Sequence, residues 1–94
     1  MIKYLLKTTE EYRLETIEDV KHFHELLRED AAQQQYHLAA FSWAEKQIKS
    51  KGEVLEEYFV VKVQKQFQEP KDAILPLDQI TYSTFDVNKE QDID

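Results

Sequence analysis

A chain of 94 residues, 41% apolar and 12% aromatic, makes one folded domain with a modest core and leaves no room for a deep, enclosed active site. It has no cysteine, which excludes disulfides and thiol chemistry, and no apolar run approaches the ~20 residues of a membrane-spanning helix. The net charge of −7 divides into −3 over residues 1–35, +1 over 36–67 and −5 over 68–94. That balance lacks the basic footprint of a non-specific nucleic-acid binder and suits either solubility or a basic partner.

The first stretch, "IKYLLKTTEEYRLE", alternates with Ile2, Tyr4, Leu6, Thr8, Tyr12 and Leu14 facing inward. Leu5 and Glu10 break that alternation. It predicts one long strand, or two short ones with a bend near Thr9. Its short apolar run lacks the central hydrophobic region of a secretory signal, so a cytoplasmic location is expected.

"TIEDVKHFHELLREDAAQQQ" predicts a helix. Thr16 suits the N-cap, and Asp19 stands where a capping box wants an acid. Ile17, Val20, Phe23, Leu27 and Ala31 recur at spacings of three and four and form one apolar stripe, widened by Leu26. His22 and His24 point about 200° apart on such a helix and cannot share a metal ion. Neither they nor His37 belongs to a ligand set, so no metal site is expected.

"YHLAAFSWAEKQIK" is ambiguous, since its helix formers compete with two alternations, Leu38 with Ala40 and Phe41 with Trp43. A strand is favoured because "SKGE" reads as a hairpin turn with Gly52 at positive φ. After the turn, Leu55, Phe59, Val61, Val63 and Phe67 share one face apart from Glu57. Tyr58, Val60, Lys62, Gln64 and Gln66 share the other, the pattern of a half-buried antiparallel strand.

Pro70 and Pro76 then interrupt regular structure. "QITYSTFDV" can make a further strand, through Ile80, Tyr82 and Thr84 or through Phe85 and Val87. The order strand, helix, strand, strand predicts an α+β two-layer sandwich, one helix on an antiparallel sheet of three or four strands. A single domain over residues 1–88 is expected, with an acidic, frayed tail over 89–94.

Chemistry-bearing motifs are scarce. Ser42, Ser50 and Ser83 lack the glycine-framed turn of a hydrolase nucleophile, and a single glycine cannot build a phosphate-cradling loop. No catalytic residue, cofactor or metal is therefore expected, and the chain reads as a non-enzymatic interaction protein. The candidate interaction surface is Trp43, Tyr58, Val60, Lys62 and Tyr82. Trp43 is expected in the core, and if exposed beside Tyr58 it would anchor an interface. Two partner modes fit: a protein bound through the outer face or edge of the hairpin strand, and self-association through a sheet edge. The acidic C-terminal segment offers a second contact, for a basic enzyme acting on nucleic acid. The alternatives are single-stranded nucleic-acid binding through Lys46, Lys49, Lys51, Lys62 and Lys65 with the aromatics, and a role in virion assembly.

Three stretches together resemble small phage and prophage proteins of Gram-positive bacteria. They are the strand-to-helix start at Thr9 and residues 12–16, the turn at Lys49, Lys51, Gly52, Glu53, Val54 and Glu57, and the strand through Val61, Val63, Lys65 and Phe67 to Glu69 and Pro70. The resemblance spans residues 4–70. It implies a mobile-element origin and a bacterial cytoplasm, and it brings no activity with it.

Overall fold

The computed structural model describes residues 1–82. Strand β1 (Lys7–Leu14) leads into helix α1 (Ile17–Gln34), which is followed by a hairpin of β2 (His37–Ser50) and β3 (Glu53–Gln66). The sheet is antiparallel in the order β1–β3–β2, so the last strand lies in the middle. The predicted one-helix α+β sandwich is the observed fold.

Local chemistry places each boundary. The Thr16 hydroxyl accepts from the Asp19 amide at 3.1 Å, and Glu18 and Asp19 face the positive end of the helix dipole. The helix stops at Gln35, whose φ of 58° puts a non-glycine residue in the left-handed region while its N–H closes on the Ala31 carbonyl. Lys51 and Gly52 both have positive φ, 51° and 82°, which makes the two-residue mirror-image turn that matches strand twist.

The core joins Leu14 of β1, Val20, Phe23 and Leu27 of α1, and Val61 and Val63 of β3. Each buried side chain of this size contributes about 1.5–3 kcal/mol. Tyr12 meets Phe23 edge-on at 5.0 Å, and Phe41 meets it at 6.3 Å.

Several expectations change. Ile2 and Tyr4 are exposed, because β1 begins only at Lys7 and runs through Thr9 without a break. Glu10 does not break the alternation: it faces inward like Thr8, Tyr12 and Leu14. Lys65, also on the inner face, is fully buried, with its ammonium 3.4 Å from the Glu10 carboxylate and 5.1 Å from the Tyr36 ring centroid. Glu10 further accepts from the Thr8 hydroxyl at 3.0 Å and from the Tyr12 hydroxyl. Asp30, on the helix stripe, accepts from the buried Tyr36 hydroxyl at 2.9 Å. Burial, and then the Asp30 carboxylate, push the Tyr36 phenol well above its ordinary pKa. Among the described residues, no buried side-chain nitrogen or oxygen lacks a partner. The core is thus mostly aliphatic and aromatic, with two buried polar side chains, Asp30 and Lys65, each held by partners.

Residues 67–82 return along the N-terminal segment. The Phe67 amide donates to Leu6 at 2.7 Å, and the Leu77 amide donates to Lys3 at 2.6 Å. Gln68 holds the turn between them. Its side-chain Oε1 accepts from the backbone amides of Ile74 and Leu75, both at 2.8 Å, and its side-chain Nε2 donates to the Leu5 and Leu75 carbonyls at 3.1 and 2.7 Å. Two short 3-10 turns, Pro70–Asp72 and Leu77–Gln79, complete this end. The further C-terminal strand and the acidic tail fall mostly on residues 83–94, outside the described residues.

Candidate interaction surface

The sheet is much longer than the helix that covers it. Eighteen helical residues span about 27 Å. Fourteen strand residues in β3 span about 46 Å. The molecule measures 54 × 28 × 21 Å, and its radius of gyration of 16.4 Å exceeds the ~12 Å of a compact chain of this length. The excess is a two-stranded arm made of residues 45–50 and 53–58. Its base is set where β1 ends, with Leu14 opposite Phe59.

The arm carries exposed apolar side chains: Ile48, Val54 and Leu55 are 42%, 45% and 64% exposed. The register slips here, with Ile48 opposite Glu56 and Lys49 opposite Val54, so Leu55 stands without a cross-strand partner. This is a β-bulge, the device by which a strand bends and re-aims its side chains. The arm is also electrostatically polarised. Residues 53–58 hold Glu53, Glu56 and Glu57 and no base, whereas residues 45–50 hold Lys46, Lys49 and one acid, Glu45.

The five residues of the predicted surface are distributed over three places. Tyr58, Val60 and Lys62 alternate along β3 on the face away from the helix, as the pattern implied. Arg13 lies over the Tyr58 ring at 4.2 Å from its centroid and is held by Glu15 at 3.0 Å and by Glu56. The hydrogen bonds that the guanidinium donates to these two carboxylates keep its pKa raised. Val60 and Lys62 line a shallow depression of about 300 Å³ with Glu11, Ser42, Trp43, Ala44 and Lys46.

Trp43 is on the other face. It pairs with Val61 in register and meets Phe59 edge-on at 5.8 Å, yet it is 50% exposed because the helix does not reach over it. The expectation of a buried tryptophan is thereby corrected. Its neighbour two residues back, Phe41, is covered by the stacked His24 ring at 4.1 Å. Tyr82 sits at the far end of the molecule against Phe67, 5.5 Å between centroids.

These positions also revise the edge and nucleic-acid readings. Val60 pairs with Arg13 on one side and Ala44 on the other, so β3 offers no free edge there. Among the described residues, the unpaired edges are the outer sides of β1 and β2 and the stretch of β3 beyond β1, residues 53–58. A stacking platform is not assembled: Lys65 is buried, Trp43 faces away from Lys62, and Tyr58 is capped by Arg13.

Sequence reasoning missed the reach of the arm and the bulge at Leu55. The signal was present in the length of the alternating run, which outlasts anything an 18-residue helix can cover. Among the described residues no cluster of three or more potential metal ligands occurs, and no helix is long and apolar enough to cross a membrane. Comparison of the chain with protein-family models, curated proteins and solved structures gave no match.

Proposed function

We propose that the protein is a non-enzymatic interaction module, of the phage accessory type its sequence resembles, and that the hairpin arm is its contact element. The observation that carries this reading is the exposure of Ile48, Val54 and Leu55 on a ribbon that projects past the core. A two-stranded ribbon is marginal in water, and a third strand on its open edge supplies the missing hydrogen bonds and apolar cover. The open edge at residues 53–58 continues the line of β1 and carries three glutamates. It suits an extended, basic segment of a protein partner. A host enzyme that acts on nucleic acid has such surfaces, and in that setting the protein acts as an acidic inhibitor.

The test is capture of partners from bacterial lysate by the tagged protein and by a Leu55→Glu, Glu53→Lys double variant, each with and without nuclease. The wild type retains a basic protein after nuclease treatment, loses it at high salt, and the variant does not capture it. A partner lost on nuclease treatment, or one held equally by the variant, overturns the reading.

A further inference from the structure

The outer edge of β2 is a second unpaired strand, separate from the open edge of the arm. It runs over 14 residues without proline, and no described residue pairs with it. Long edges of this kind, regular here from Ala40 to Ile48, are templates for another strand. The sequence along this one is self-complementary.

If two copies pair through β2 about an exact two-fold axis, the strands are antiparallel and the axis stands perpendicular to the sheet. Residues facing the helix in one copy then face the same side in the other, and the axis must pass through a residue. A centre on Glu45 or Lys46 opposes like charges and is excluded. A centre on Phe41 runs into the slip at Ala39, where Leu38 and Ala40 fall out of register with β3. Centres on Trp43 or Ala44 set an aromatic ring against Glu45, a centre on Lys49 opposes like charges, and centres on Gln47 or Ile48 lie in the arm and leave Trp43 outside the paired stretch. A centre on Ser42 sets Phe41 against Trp43 twice and Ala40 against Ala44 twice, with no like charges opposed. Aromatic cross-strand pairs are among the favourable ones, and the small residues leave the opposite face smooth.

We infer that the chain forms a two-fold dimer by pairing β2 with β2 of a second copy, centred on Ser42. Three strands from each copy make one continuous sheet with both helices on the same side. Trp43 of each copy lies beside Phe41 of the other, extending the row of His24 and Phe41 across the seam. This accounts for a tryptophan left half exposed at the limit of helix cover. The seam occupies residues 40–44, so both arms stay unoccupied and point in opposite directions. The dimer therefore presents two copies of the proposed contact element.

Ser42 lies exposed on the smooth face, so substitutions there spare the core. Sedimentation velocity from about 10 µM to about 500 µM covers the range of weak association. The wild type shows twice the chain mass of 11.3 kDa at the upper concentrations. Ser42→Asp and Ser42→Lys each place like charges at the two-fold axis and sediment as monomers, and an equimolar mixture of the two regains the dimer mass. Far-UV circular dichroism checks that both variants fold. The single tryptophan gives an independent signal in the wild type, since its emission shifts to shorter wavelength as concentration rises. A wild type that stays monomeric throughout, variants that remain dimeric, or a mixture without rescue would each overturn the inference. Partner capture by the arm is unchanged in Ser42→Asp, which separates the failure of one proposal from the failure of the other.

Discussion

Replacing Lys65 by methionine tests the polar part of the core. The substitution keeps an unbranched apolar stem of similar shape and removes the ammonium, which lies fully buried 3.4 Å from Glu10. Breaking a buried ion pair by removing one partner costs about 3–5 kcal/mol, because the other charge stays desolvated. Here the lower end applies. The Glu10 side chain is 13% exposed and keeps its bonds from the Thr8 and Tyr12 hydroxyls. The expected loss is about 3 kcal/mol, a large fraction of the 5–15 kcal/mol of a small domain. At about 4–8 °C per kcal/mol for a domain of this size, the Tm falls by roughly 12–24 °C. Urea unfolding followed at 222 nm gives the free energy directly, with an unchanged slope if the native fold is kept. Adding Glu10→Gln to Lys65→Met removes the stranded charge and recovers about 2 kcal/mol of the loss, since neutral hydrogen-bonded groups carry a far smaller desolvation cost. A single-variant loss below about 1 kcal/mol, or a double variant no better than the single, would show that the pair does not organise this core.

Three further outcomes follow from the geometry. Gln68→Ala removes the acceptor of the Ile74 and Leu75 amides, so those two amides lose hydrogen-exchange protection while core amides of β3 keep theirs; unchanged protection would refute the role of Gln68 as the holder of that turn. Gly52→Ala meets no atom within 4 Å of the new Cβ, so its cost is only that of the backbone at φ 82°, about 1 kcal/mol in thermal unfolding. Burial against Phe41, and then the nearby Arg28, lower the His24 pKa from 6.5, so the unfolded chain takes up the proton first. Stability is thus full above pH 6.5 and falls as the pH drops from there through the lowered folded value. Urea midpoints between pH 7.5 and 5 should show that decline in the wild type and a smaller one in His24→Phe.

Much of this molecule was legible because its signals are local. A capping threonine with an acid three residues on, an apolar stripe at helical spacing and a lone glycine in a polar turn each specify geometry within a few residues. The ambiguous segment around Phe41 resolved to strand because a hairpin needs two arms, and a confident second arm lay beyond Gly52. The open face through Tyr58, Val60 and Lys62 followed from strict alternation in the same way.

The rest depended on what meets what across the fold. Glu10 and Lys65 each read as charges on a strand, and only their meeting under the helix, with Tyr12 and Tyr36 beside them, makes burial tolerable. Trp43 belongs by pattern to the covered face, but it stands on the edge strand β2 beside the buried Val61, and how far the helix covers the sheet sideways is not encoded in a strand pattern. Local residue chemistry by itself determined the elements, their caps and turn, and the faces of β3. The tertiary structure decided which strand became central, which charges were paired inside, and how far the hairpin outran its helix, because those outcomes rest on contacts between segments distant in the chain.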